Sequence, residues 1–266
     1  MSPVDVPWET MHASVHRGVT TPNQDHIDLR VVAGATLVLC VADGHGLPDA
    51  RRGHLGARWA VEELMRRVVP FACRVAEVED DPRYRPELVA WADRLRGEIS
   101  SGWRDRVRMH EANGPGDGSA EGPRARYRSS LLGAVLSRRL LFCWQAGPGD
   151  ISVICEHGSR VLFEEADDAL PRRRMRLHWQ AADTLGGRGL VLLNSDGLAR
   201  GFADRSDYRA FVEGLYARVA RRDAQGVRDG LDGRLELLAE RSGEDTSLVA
   251  AYLGEDRDGR RGWAGR

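Results

Sequence analysis

Residues 35–42, Ala-Thr-Leu-Val-Leu-Cys-Val-Ala, form an apolar run that stops at Asp43-Gly44-His45-Gly46. A short, β-rich run bounded by turn residues reads as a strand buried on both faces. The pattern recurs. Gly189-Leu-Val-Leu-Leu-Asn194 stops at Ser195-Asp196-Gly197, and a third run, Thr246 to Leu253, opens directly after Asp245. In an antiparallel sheet the start of one strand lies beside the end of its neighbour. Three such strands therefore bring Asp43, Asp196 and Asp245 to one rim. Asp25, in Asn23-Gln24-Asp25, precedes the first run by a hairpin-sized gap and is placed to join them.

Around these strands the periodicity predicts a helix over 54–69, bounded by Pro70, and a second over 86–110. A loop rich in Gly and Pro follows, from Asn113 to Pro123. Short β-type runs at 130–136, 140–146, 151–155 and 160–163 then suggest an antiparallel meander. Helices are expected over 206–221 and 224–240. The charged, Gly-rich tail 255–266 is expected to fray. Strands and helices interleave without a βαβ rhythm. The expected fold is α+β with antiparallel sheets, in a single domain over 1–254.

Composition narrows the function. The 266 residues are 42% apolar and 30% charged, enough for a sizeable core and too apolar for global disorder. Acidic and basic residues nearly cancel, to a formal charge of -1, so neither nucleic acid nor an anionic membrane is an expected partner. All 39 basic side chains are Arg. The absence of Lys excludes Schiff-base catalysis, a Walker-type phosphate lysine and the lysine of a protein kinase. Four scattered cysteines provide neither a disulfide framework nor a Cys-x-x-Cys zinc site. With no run approaching 18 apolar residues and no secretory pattern at the N-terminus, a reduced, cytoplasmic protein is expected.

Carboxylates gathered at one rim repel each other unless a positive charge sits between them. No Lys exists and no Arg falls within the motifs, so a hard divalent cation, Mg²⁺ or Mn²⁺, is the natural counter-charge. Asp-Gly alone is an ordinary turn signal, as at Asp117-Gly118 and Asp258-Gly259. What gives Asp43 and Asp196 weight is their position at strand ends. His45, directly after Asp43, is either an exposed turn residue or a proton donor beside a metal-held phosphate. Gly147-Pro148-Gly149-Asp150 reads as a turn, and Arg172-Arg173-Arg174 as a solvated face.

The ordered series Asn23-Gln24-Asp25, Val41-Ala42-Asp43-Gly44-His45-Gly46, Gly149-Asp150, Asn194-Ser195-Asp196-Gly197 and Glu244-Asp245-Thr246 resembles the metal-dependent (2C-type) protein serine/threonine phosphatases, over about residues 10 to 253. The resemblance implies two packed antiparallel sheets flanked by helix pairs, and two bound Mn²⁺ or Mg²⁺ ions. It implies that Asp43 bridges them, that the Gly44 carbonyl ligates one, and that Asp196 and Asp245 complete the first ion's ligands. His45 corresponds to the proposed general acid and Asp25 to a carboxylate that orients water. The implied partners are a phosphoprotein substrate and a serine/threonine kinase.

Two positions depart from the family's Arg-x-x-Asn-Glu-Asp pattern. Thr20 stands at the arginine that clamps the substrate phosphate, and Gln24 at the glutamate that ligates the second ion. A divergent bacterial branch of the family carries Asn-Gln-Asp with an upstream histidine similar to His16. Arg17, Arg51 and Arg52 are alternative sources of the phosphate contact. The expected function is phosphoserine/phosphothreonine hydrolysis by a metal-activated water. The alternative is a catalytically weak regulatory module acting with a partner protein.

Overall fold

Strict alternation along the apolar strands sorts their side chains into layers. The computed structural model describes residues 8–17, 22–33, 36–45, 52–113, 123–163, 175–181 and 188–254. The strands are β1 (Trp8–Val15), β2 (Asp25–Val32), β3 (Thr36–Asp43), β4 (Leu131–Leu136), β5 (Leu140–Ala146), β6 (Asp150–Cys155), β7 (Gly158–Leu162), β8 (Arg176–Ala181), β9 (Gly189–Asn194) and β10 (Thr246–Leu253). They form two five-stranded antiparallel sheets, ordered β1-β10-β9-β6-β7 and β2-β3-β4-β5-β8. The helices are α1 (Gly53–Val78), α2 (Arg85–Asn113), α3 (Asp196–Arg200), α4 (Arg205–Ala220) and α5 (Ala224–Ser242).

On β3, Leu37, Leu39 and Val41 face the opposite sheet, while Val38, Cys40 and Ala42 face α1 and α2. On β10, Val249, Ala251 and Leu253 join the layer between the sheets, and Leu248, Ala250 and Tyr252 pack under α4 and α5. Strands covered on both faces lose visible alternation in hydropathy, which is why these runs are continuously apolar. The result is a helix–sheet–sheet–helix sandwich, as the resemblance implies.

Several local expectations are corrected. The first helix does not stop at Pro70 but runs on to Val78. Pro70 has no N–H to donate, yet Phe71, Ala72, Val75 and Val78 continue the buried stripe. The expected meander is two hairpins in different sheets: β4 pairs with β5, and β6 with β7. The chain changes sheets at Gly147-Pro148-Gly149, where Gly147 and Gly149 both take positive φ. Asp196 begins a short helix rather than a plain turn. Most of the 113–123 loop, the 172–174 arginine run, Asp117-Gly118, Asp258-Gly259 and the 255–266 tail lie outside the described residues. All four cysteines are free, and no described helix is long and apolar enough to cross a membrane.

Close backbone approach locks α1 against the sheet. Trp103 Nε1 of α2 donates to the Gly56 carbonyl at 3.0 Å, and a methyl group at Gly56 would overlap the Tyr127 carbonyl oxygen. Gly97 on α2 faces open space. Gly97→Ala should stabilise the protein by about 0.5–1 kcal/mol, the ordinary helix gain. Gly56→Ala should instead destabilise it by roughly 1–3 kcal/mol through overpacking. Urea unfolding of the two variants checks this reversal of sign; equal effects would contradict the packing described.

Candidate active site

Asp43 ends β3 directly opposite Asp25, the first residue of β2. By strand parity both carboxylates share the face that carries Val41, Leu39, Ile27 and Leu29 toward the other sheet. The apolar layer between the sheets therefore ends in two facing aspartates. The opposite sheet brings its own acids to the same end, Asp196 just past β9 and Asp245 just before β10, and these two strands are neighbours. The four aspartates are thus drawn from both sheets, not from the rim of a single one.

Hydrogen bonds fix the arrangement across the gap. Ser195 Oγ donates to Asp25 Oδ2 at 2.8 Å and accepts from the Ser247 amide at 3.0 Å. The Asp43 amide donates to Ser130 Oγ at 3.1 Å, and the Ser130 amide returns a bond to the Asp43 carbonyl at 2.8 Å. His45 Nδ1 lies 3.3 Å from Asp43 Oδ2. One ligand-capable atom each from Asp43, His45 and Asp196 falls within 4.8 Å of the others, a spacing suited to a metal ion. Asp245 stands outside that trio. Its Oδ1 accepts from the Arg17 amide at 2.8 Å and lies 3.0 Å from His16 Nδ1, and its Oδ2 accepts from the Gln24 amide at 2.8 Å.

The charge balance of this cluster is unfavourable without a cation. Burial, aided by the charge of Asp245, pushes the Asp25 carboxyl up to about 7 against the hydrogen bonds from Ser247 and Ser195. Burial and the charges of Asp25 and Asp196 push Asp43 well above the usual carboxylate range. Burial lowers His45, and Arg128 and Arg200 act in the same direction while Asp196 opposes them. Asp25 Oδ1 and His45 Nε2 are buried and lack a hydrogen-bond partner among the described residues. Clustered carboxylates with an orphaned buried oxygen fit a hard divalent cation.

A second oxygen pair lies alongside. A Cβ placed on Gly53 would lie 2.7 Å from Gln24 Oε1 and 2.9 Å from the Gly44 carbonyl oxygen. These two oxygens face one point, which only a glycine at the start of α1 leaves clear. The pair has the carbonyl expected at Gly44, with a neutral amide oxygen in place of a carboxylate.

Other residues singled out in the sequence stand elsewhere. Asp150 is held by Arg205 Nη1 at 2.6 Å. Arg52 is committed between α1 and α2, donating to Glu111 at 2.6 Å and to the Tyr127 hydroxyl at 2.8 Å. Thr20, Gly46 and Arg51 lie outside the described residues. Sequence reasoning missed Ser195, Ser130, Glu244 and Arg200 as parts of the site. Arg200 Nη2 lies 3.1 Å from Asp196 Oδ2, and its Nη1 bonds Glu244 Oε1. The i,i+4 spacing of Asp196 and Arg200 would have revealed the pair once a helix was placed there.

The family model described as protein phosphatase 2C matches residues 14–236. No curated protein matches the chain by sequence. Among solved structures, the catalytic domain of the serine/threonine protein phosphatase PstP in complex with two manganese ions is 16% identical, with a TM-score of 0.61 over 92% of this chain and 98% of that one. The Mycobacterium tuberculosis serine/threonine phosphatase PstP/Ppp is 18% identical, with a TM-score of 0.60 over 93% and 99%. The S. agalactiae serine/threonine phosphatase is 14% identical, with a TM-score of 0.62 over 93% and 100%. At these identities the likeness is one of fold.

The buried carboxylates also predict a signature in stability. An acid with a raised folded pKa costs nothing below its unfolded value and most above its folded value. For Asp25 that window runs from 3.8 to about 7. Asp25→Asn keeps an oxygen for Ser195 and removes the charge. It should stabilise the metal-free protein at pH 8 by about 1–3 kcal/mol, a gain that shrinks as pH falls toward 5. Thermal unfolding in EDTA at both pH values checks this; a gain that grows on acidification would contradict it.

Proposed function

The chain belongs to the protein phosphatase 2C family, and from that premise we propose that it hydrolyses phosphoserine and phosphothreonine in proteins. The observation that carries this reading is the half-buried trio Asp43, His45 and Asp196, with Asp25 facing Asp43 across the strand pair. Mn²⁺ or Mg²⁺ bound there would polarise the phosphoryl group and lower the pKa of a water to the neutral range. Asp43, Asp196 and the Gly44 carbonyl are the proposed ligands, joined by Asp245 from just before the start of β10. Asp245 also anchors the segment that carries Gln24, through its bond from the Gln24 amide.

The chain's own groups have distinct tasks in this reading. Ser195 holds one oxygen of Asp25, leaving Oδ1 to accept a proton from the attacking water. His45, in its protonated form with Nδ1 3.3 Å from Asp43, would give its Nε2 proton to the departing seryl or threonyl oxygen. Attack in line on phosphorus needs no covalent enzyme intermediate. The second reading, a weakly catalytic module that binds a partner, draws on Gln24, whose neutral oxygen stands where the family pattern has a carboxylate. A phosphoprotein substrate and a serine/threonine kinase are the proposed partners, and the cytoplasm the proposed location.

Purified protein with Mn²⁺ should hydrolyse a phosphothreonine peptide, and EDTA should abolish the activity. Asp43→Asn should lower kcat at least about 10²-fold, because it removes charge from the centre of the site. A variant as active as the wild type would remove Asp43 from the site, and a wild-type protein inactive with Mn²⁺ would favour the regulatory module.

His45→Ala should slow peptide cleavage by roughly 10²-fold, within the usual range for general acid catalysis, and slow nitrophenyl phosphate cleavage far less. A nitrophenolate leaves without protonation, whereas a threonyl alkoxide does not. Mn²⁺ affinity should remain near that of the wild type. Equal losses on both substrates together with weakened Mn²⁺ binding would make His45 a ligand instead of an acid.

A further inference from the structure

We propose that Arg200 is the phosphate-contacting cation of this site, held ready by Asp196 and Glu244. The inference rests on the phosphatase reading and supplies the contact that Thr20 cannot make. Arg200 lies one helical turn beyond Asp196, so its side chain returns over the acidic rim. One nitrogen lies 3.1 Å from Asp196 Oδ2 and another bonds Glu244 Oε1. The Arg200 side chain is more than half exposed, at 58%, whereas that of Asp196 is 12% exposed. It therefore sits at the mouth of the site, on the solvent side of the carboxylate. Its field reaches both Asp43 and His45.

A guanidinium carries five N–H donors in a planar fork suited to phosphate oxygens. The two carboxylates occupy only part of that fork. A divalent cation held by Asp196 would neutralise the oxygens that Arg200 now pairs with. Glu244 would then still tether the guanidinium at the rim, leaving its other donors to face a phosphate. Arg52 and Arg128 are less suited. Arg52 is committed to Glu111 and Tyr127. Arg128 acts on His45 electrostatically, but among the described residues no ion pair holds it to a carboxylate of the site.

This exchange predicts effects of opposite sign in one variant. Mn²⁺ affinity of the full chain is read by electron paramagnetic resonance of the free ion, and binding of inorganic phosphate to the Mn²⁺-loaded protein by calorimetry. Arg200→Gln should tighten Mn²⁺ binding about two- to fivefold, the scale of an exposed ion pair removed. The same variant should weaken phosphate binding by roughly tenfold or more, the scale of a lost charge-assisted contact. Arg200→Lys should recover part of the phosphate affinity, and Arg128→Gln should leave Mn²⁺ affinity unchanged. Unchanged phosphate affinity in Arg200→Gln overturns the proposal, as does Mn²⁺ binding that weakens. A wild-type protein that binds no Mn²⁺ overturns the phosphatase reading itself, a result distinct from an intact metal site indifferent to Arg200.

Discussion

Two aspartates facing each other across an antiparallel strand pair, at the end of an otherwise apolar layer, set the terms for the rest of this molecule. Asp25 and Asp43 occupy register positions that the pleat directs between the sheets. Their neighbours along the same face are Val41, Leu39, Ile27 and Leu29. Like charges so placed are tolerated only if they share protons or surround a cation. The raised pKa values of both groups express that tension. The surrounding hydrogen bonds keep the two carboxylates in place despite it.

The opposite sheet supplies the means. Ser195, just past β9, bonds Asp25 and is itself held by the Ser247 amide of β10, so the two sheets are joined at the site by polar contacts as well as by the apolar layer. Asp245 draws in the 16–24 segment, through the amides of Arg17 and Gln24. Gln24 in turn holds the Gly44 amide through its own carbonyl, at 3.1 Å. The acids of one sheet therefore position the backbone beside the acids of the other. Arg200 closes the outer edge through Asp196 and Glu244. The site therefore gathers carboxylates at its centre and carries a guanidinium at its edge.

The strands buried on both faces were legible because their apolar runs are continuous, and the aspartates at their ends followed from strand polarity alone. Edge strands were harder. β1 and β8 lie at the edges of their sheets, half in water, and runs such as Arg176–Ala181 mix charge with apolar residues. The extension of α1 through Pro70 was hidden because a proline's local cost is visible in sequence and the buried stripe that outweighs it is not. Arg200 escaped notice for a related reason: Asp196-Gly197 reads locally as a turn, and only a helix there brings residue 200 back to residue 196. The division of four acids between two sheets is a tertiary fact, invisible to any single strand.

If the acidic cluster holds a divalent cation, diffraction from crystals grown with Mn²⁺ will locate it. Anomalous scattering at the manganese edge should place an ion within ligand distance of both Asp43 and Asp196, with Arg200 withdrawn from Asp196. Manganese found only at surface carboxylates, with Asp25 and Asp43 sharing a proton across the strand pair, would contradict the account.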